Sequence, residues 1–576
     1  MRAFWKIISF FVLTGLVFFT GCNLPSREVE IPLPLEQRYE QIISTLASQT
    51  LIEPTITPED QLLTAEENPS PENKTGLYLH PGLPEKFRNA ISDNPYNEVD
   101  TEEKAQISIL MGALNVAEQA QIHSNWIYAL SVPFFTITDN ISFGDLSAFW
   151  KGQTESIGDF SNIVVLESTK AALSTILGPA NDTAVEIISE ENLTNIPLND
   201  NKSLFILPFE LLNNRMKVIR IDSHAPINVD FNPQEYPLSV GIWVETDLEN
   251  PEIELPESNY NPKLRTILVM TGVTALTRAT AHRMELQGNQ YPGRDIHDWL
   301  TSADLTHISN EVPFAANCPS PDPIQQDLIF CSSPERIELL EYVETDIVEL
   351  TGNHLLDYGL DAVNLTLEMY EERDWVTYAG GWDLEDAQTP ALVNHNGNQL
   401  AFIGCNSVGP PNAWASTIKP GAAPCGDFTW MTDEIQKLKD DGYLPLVTLQ
   451  YAEDYTDYPG AQMVSDFRKL ADAGAVVVNG SQAHTPKMMS FHGNSFLHYG
   501  LGNLFFDQME VYYNDVYLSG TRDEFIDRLI FYDNELISIE LLTALLEDYA
   551  RPRPMTQIER DDFLSRIFST AIKFDQ

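Results

Sequence analysis

The chain has 576 residues, with 34 Lys and Arg against 84 Asp and Glu, for a formal charge of −50. That charge excludes nucleic acid and anionic lipid surfaces as partners of the folded body, and it is compatible with bound divalent cations. A hydrophobic content of 43% with 10% aromatics is ample for buried cores, and the length predicts two or three domains.

The chain opens "MRAFWKIISFFVLTGLVFFTGCNLPS", with Arg2 and Lys6 as a basic head and an apolar run from Ile7 to Phe19. That run is too short to span a bilayer comfortably and reads as a secretory signal, with an uncleaved anchor as the alternative. The "TGC" stop resembles a bacterial lipoprotein signal, although Phe19 stands where Leu is usual. The resemblance makes Cys22 the lipidated first residue, and it places the body outside the cytoplasm, lipid-anchored at the cell envelope. Setting Cys22 aside leaves Cys318, Cys331, Cys405 and Cys425, an even number for an oxidising compartment. Nearest-neighbour pairing is the simplest expectation, and the spacings lack the C-x-x-C of a zinc site.

Residues 23–75, including "LIEPTITPEDQLLTAEENPSPENKTG", read as a Pro-, Glu- and Ser-rich tether with one helix near "LEQRYEQIISTLAS". Residues 76–255 predict a smaller α/β domain, from helical "EKAQISILMGALNVAEQAQI" and strand-like "WIYALSVPFF", "SNIVVL" and "KSLFILPF". The phrases "YALSVPFFTITDNISFGDLSAFWKG" and "YPLSVGIWV" resemble pieces of periplasmic solute-binding proteins, diffusely and with no fixed ligand motif. A spacer without ligand is the alternative. Polar "ETDLENPEIELPESNYNPK", Glu245 to Lys263, predicts the interdomain linker.

Beyond it, strands "TILVMTG", "DLTHIS", "DIVELTG", "LAFIGCN", "LPLVTLQ" and "AVVVNG" alternate with helices such as "PERIELLEYV", "FTWMTDEIQKLKDDG" and "AQMVSDFRKLADAG". This alternation implies a layered α/β domain over 264–545. The hairpin "PALVNHNGNQLAFIG" turns at Asn396-Gly397, and a second pair, "FIDRLIFYDNELISIELL", follows near the end. Residues 546–576 predict a helical extension starting at about Thr556. His395, His492 and His498 read as surface or hairpin residues.

"TGNHLLDYG", Thr351 to Gly359, falls where a strand turns into a helix. Plainly read, Gly352 makes a tight turn, Asn353 caps the helix and His354 is a polar loop residue. Alternatively, loops at the carboxyl ends of strands bind ligands, and Asn with His can hold a metal or move a proton.

Six segments stand in one order: "TGVTALTR", "ADLTHISNEVPF", "TGNHLLDYG", "TLQYAEDY", "VNGSQAHTPK" and "FLHYGLGNLFFDQ". Together they resemble the CapA family of capsule and poly-γ-glutamate synthesis proteins, over about 264–508. Family strings run approximately GDVMLGR, NLE, NNHSxDYG, HWGxEY, GHHPH and YSLGNFVFDQ. The resemblance implies a layered αββα metallophosphoesterase-like fold, in which an Asp, an Asn and several His hold two metals that activate water.

Carried over residue by residue, the first-loop Asp is Val273 and the second-loop Asn is Ser309, with Asn310 and Glu311 beside it. Asn353 is kept as a ligand and His354 as the proton donor. The fourth-loop His is Gln450, and Asp454 takes the acidic position next to Glu453. The adjacent His pair of the fifth loop is Ser481 and Gln482, while His484 remains. The resemblance thus implies His354 and Asp454 as catalytic residues and Glu311, Asn353 and His484 as metal ligands. Asp357, Gln450, Gln482, Asn503 and Asp507 support the cleft, Gly500 and Gly502 allowing close backbone packing beside it. Oxygen-rich ligands favour Mg²⁺, Mn²⁺ or Ca²⁺ over Zn²⁺.

Two readings follow: a metal-assisted envelope hydrolase with a reduced metal site, or a non-catalytic scaffold that binds the polymer. The expected partner is an extracellular anionic polymer or its synthesis machinery. A third reading makes the first domain a solute receptor. Walker, H-E-x-x-H and G-x-S-x-G templates are absent.

Overall fold

Strand-forming runs rich in Val, Ile and Phe recur along the chain, and they assemble into three larger sheets. The structure is a computed structural model that describes residues 75–574 apart from Asn250, Glu510, Asn514, Asp515 and Ser519. The signal, Cys22 and the tether lie outside the described residues.

The first sheet runs Asn97–Val99, Gly76–Leu79, Ile107–Gly112, Ser239–Thr246, His123–Pro133, Ser203–Pro208, Asn162–Val165, Val185–Ile187 in spatial order. Its central strands are buried on both faces. Ile163, Val165, Leu204 and Ile206 enter one apolar cluster, while Val164, Phe205 and Leu207 enter another. This is the period-two alternation of a covered sheet. The expected linker is polar but packed: Asn259 is buried, donating to the Ile127 carbonyl at 2.9 Å and accepting the Ile127 N–H at 2.8 Å.

The second sheet orders Val376–Tyr378, Ile347–Glu349, Leu305–Asn310, Arg265–Thr271, Asp523–Tyr532, Glu535–Glu547 and Arg551–Pro554. Its first four strands are parallel and the rest antiparallel. The third sheet orders Ala391–His395, Asn398–Asn406, Leu444–Gln450, Val477–Asn479, Ser495–His498 and Met489–His492, parallel in its middle. Leu268, Met270 and Ile347 of the second sheet share a core with Leu400, Phe402, Leu446 and Val478 of the third. Their strand neighbours Val269, Ile308 and Val348 point the other way, toward Met284, Leu339, Val363 and Leu367 of flanking helices. Helices Thr429–Asp440 and Ala461–Ala473 cover the third sheet with Met431, Ile435, Phe467 and Leu470.

The last helix, Gln557–Phe574, is an integral part of this core: Phe563, Leu564, Ile567 and Phe568 are buried in it. The Phe568 ring lies 5.3 Å from that of Phe135, at the end of the first sheet's longest strand. Disulfides join Cys318 to Cys331 and Cys405 to Cys425, the expected pairs.

Three expectations fail on packing. The helix expected over "EKAQISILMGALNVAEQAQI" is instead the strand Ile107–Gly112 followed by the short helix Leu114–Ala117, because Ile107, Ile109 and Met111 alternate into the core of the first sheet. Asn353 caps no helix, because the helix Leu360–Glu371 starts after Gly359, whose φ is +79°. His498 is fully buried rather than superficial, its Nδ1 2.7 Å from Asp527 Oδ2. His492 is at the surface as expected, paired with Asp472.

Candidate functional site

The parallel strands of the second and third sheets end on the same side, and their following loops meet there. Three hydrogen bonds tie the segments across: Gln450 Nε2 to Asn353 Oδ1 at 2.7 Å, Gln482 Nε2 to Ser309 Oγ at 2.5 Å, and Ser481 Oγ to Glu349 Oε1 at 2.6 Å. Asn406 is the hub behind them. Its amide nitrogen donates to Gln450 Oε1 and the Thr351 carbonyl, and its oxygen accepts from the Val408 and Gly409 N–H groups and the Trp414 indole.

Gly352 is small for close approach rather than for a special turn. A Cβ there would lie 2.6 Å from the Glu311 Cα and carbonyl oxygen, well inside contact distance. His354 Nδ1 bonds Asp357 Oδ2 at 2.7 Å, and the same oxygen accepts the Phe330 N–H at 2.8 Å. Burial disfavours the charged imidazolium, but the Asp357 hydrogen bond with the Glu311 and Asp357 charges outweighs it. The His354 pKa is therefore raised from its ordinary value.

Beneath the loops lies a polar layer that the sequence reading missed. Glu349 is fully buried, its Oε1 accepting from Thr351 Oγ1 and Ser481 Oγ, and burial pushes its carboxyl pKa up despite these donors. His307 reaches the Tyr378 hydroxyl at 2.8 Å, and burial pushes its pKa down to about 3, so its imidazole is neutral.

The expected catalytic and supporting residues divide. Asp454 is 45% exposed and ion-paired with Lys487, so its carboxylate faces a cation. Neighbouring Glu453 accepts the N–H groups of Asp454, Tyr455 and His484. His484 Nδ1 lies 2.9 Å from Asn503 Oδ1, and Asn503 Nδ2 donates to the Thr521 carbonyl. Asp507 pairs with Arg278 and accepts the Ala279 N–H.

Arg278, Phe330 and Phe506 were also missed. The guanidinium carbon of Arg278 sits 5.1 Å from the Phe330 ring centroid and 5.0 Å from that of Phe506. Phe330 in turn lies 4.6 Å from the His354 ring, and Phe506 5.3 Å from the His484 ring. The two retained imidazoles thus end one row, His354, Phe330, Arg278, Phe506, His484. Arg278 closes the segment "TGVTALTR" at φ +44°, an uncommon backbone for a residue with a side chain.

The residues present do not fit the metal pair that the fold family implies. Val273 is fully buried in an apolar cluster with Ala275, Val312, Phe330 and Phe506. The amide of Asn353 and the hydroxyl of Ser309 already take hydrogen bonds from Gln450 and Gln482. Among the described residues no three His, Cys, Asp or Glu side chains gather as a cation would need.

A separate cleft of about 720 Å³ opens beside the first sheet. Glu85, Glu167, Glu190 and Glu210 face it against Lys86 alone, which disfavours an anionic solute.

The family described as "Bacterial capsule synthesis protein PGA_cap" matches residues 267–508. The "Capsule biosynthesis protein CapA" of Bacillus anthracis is 20% identical over 294 residues, covering 50% of this chain and 69% of that protein. The "PGA biosynthesis protein CapA" of Bacillus subtilis (strain 168) is 23% identical over 205 residues, covering 35% of this chain and 52% of that protein, about half its length. A 5'-nucleotidase precursor from Thermus thermophilus aligns over 54% of this chain and 60% of its own, at 15% identity and a TM-score of 0.30. Over residues 267–508 the chain matches the family of bacterial capsule synthesis proteins and is similar to the CapA proteins.

Proposed function

We propose that this protein is an envelope lipoprotein that takes part in making or retaining an extracellular polymer of capsule or poly-γ-glutamate type. In this reading residues 267–508 are a binding scaffold that keeps the family's fold without its hydrolytic metal chemistry. One observation carries it: the polar side chains at the replaced ligand positions are hydrogen-bonded across the cleft, Gln482 to Ser309, Gln450 to Asn353 and Ser481 to Glu349. Amide and hydroxyl groups engaged this way across the cleft are poor substitutes for the carboxylate and imidazole ligands that a pair of metal ions needs. The names of the relatives supply the polymer.

The His354–Asp357 pair favours a second reading, a phosphoesterase-type hydrolase in which His354 gives its proton to a leaving group, with Asp454 and a Mg²⁺, Mn²⁺ or Ca²⁺ site at Glu311, Asn353 and His484. Protein purified without added metal separates the two. The scaffold reading expects no stoichiometric divalent cation by elemental analysis and no hydrolysis of a phosphomonoester or phosphodiester. Val273→Asp should gain neither, and it should melt at a clearly lower temperature, because its carboxylate would enter an apolar pocket. Stoichiometric metal, with hydrolysis that His354→Gln reduces ~10²-fold or more at unchanged melting temperature, would establish the second reading instead.

The lipid anchor is tested separately. Cys22→Ser should leave an unprocessed precursor or release the chain from the membrane fraction. Unchanged processing and unchanged membrane retention would sink the lipoprotein assignment.

A further inference from the structure

The cations of the cleft are already matched with anions of its own. Arg278 pairs with Asp507, His354 with Asp357, and Lys487 with Asp454. Glu311 differs: it is 2% exposed, and among the described residues no donor reaches its enclosed Oε2. Its backbone is fixed by an N–H bond to the Thr274 carbonyl and by the close approach of Gly352. Two residues before it on the same strand end, Ser309 holds Gln482, whose Oε1 is also buried without a donor. Both unpartnered acceptors are thus held from one short stretch, Ser309 to Glu311, at the end of the strand Leu305–Asn310.

Leaving a carboxylate buried and unpaired is costly, and the group that offsets most of that cost is a cationic donor. A divalent cation asks for six or more oxygen ligands, and among the described residues no three His, Cys, Asp or Glu side chains gather to supply them. A primary ammonium is compact and brings three donors to two waiting acceptors.

We propose that Glu311, with Gln482, receives the primary amino end of the ligand that enters this cleft. The ligand class is the free amino terminus of an acidic peptide polymer, and the identification rests on the polymer-binding reading above. Glu311 is then the specificity determinant, sensing a chain end rather than the repeating carboxylates.

The test is calorimetric titration of the full chain with a γ-linked triglutamate, free or N-acetylated. The free form should bind about tenfold or more tightly than the acetylated one, as expected for losing a hydrogen bond between charged groups. Glu311→Gln should weaken the free form to the level of the acetylated form and leave the acetylated form unchanged. Equal binding of both forms by the native protein overturns the assignment of Glu311 but leaves polymer binding standing. No saturable binding of either form overturns both. Saturable Ca²⁺ or Mn²⁺ binding that Glu311→Gln abolishes would make the carboxylate a metal ligand and overturn the proposal. The acetylation comparison uses the native chain, so it decides the matter even where the variant misfolds.

Discussion

Replacing Asp527 by Ala is expected to destabilise the protein by about 1–3 kcal/mol or more, the cost of leaving a buried polar group without its hydrogen-bond partner. Asp527 lies on the strand Asp523–Tyr532 of the second sheet and His498 on the strand Ser495–His498 of the third. Both side chains are fully buried, so their 2.7 Å contact is a polar cross-link between two sheets in a dry core. Without the carboxylate the imidazole keeps its burial and loses its acceptor, while the Phe525 ring, 5.0 Å away, offers no replacement. The pair His498→Leu with Asp527→Leu should recover most of the loss, because replacing both partners of a buried hydrogen bond by apolar groups of similar shape is often nearly neutral. Urea unfolding of the two variants beside the native chain measures this. A single variant that lost under about 1 kcal/mol would mean that the pair behaves as a solvated surface pair.

Removing the Cys405–Cys425 disulfide as the double Ser variant is expected to cost about 3 kcal/mol in the chain-entropy model. The bridge spans 20 residues of sequence, and both cysteines are buried. Its loss should be felt in the cleft as well, because Asn406, the residue after Cys405, holds Gln450, and Gln450 holds Asn353. Thermal melting under non-reducing conditions checks the stability, and amide exchange at Gln450 and Asn353 checks the coupling. An unchanged melting midpoint would show that the loop is held by its other contacts alone.

Much of this fold was legible because the relevant signals are local. Alternation of apolar runs with amphipathic stretches marked most strands and helices, the strand Ile107–Gly112 excepted, and segment order marked the loops that converge. The cysteine pairs followed from spacing and compartment. What stayed hidden depends on partners far apart in sequence. Glu349 looked like the ordinary end of a strand, yet it is buried because Ser481, 132 residues later, brings it a donor. Arg278 stood at the end of a loop string, and nothing near it announced Phe330 or Phe506 as the rings on either side. Gly352 was read as a turn, whereas its reason is the backbone of Glu311 against it. His498 sits in a short strand beside Tyr and Gly, and only the facing Asp527 explains its burial. In the linker, polarity suggested solvent, but Asn259 spends its amide on the backbone of Ile127.

The apolar pocket around Val273 also bears on the history and engineering of this chain. A carboxylate reintroduced at that position would meet Ala275, Val312, Phe330 and Phe506 instead of the polar company an acidic ligand needs. Each of those neighbours adds to the cost of a carboxylate at position 273, so its effect depends on what stands at the surrounding positions. A directed-evolution library aimed at hydrolysis should therefore vary Val273 jointly with its apolar neighbours and with Ser309, Gln450 and Gln482, since one-at-a-time screens would pass through destabilised intermediates before reaching any gain.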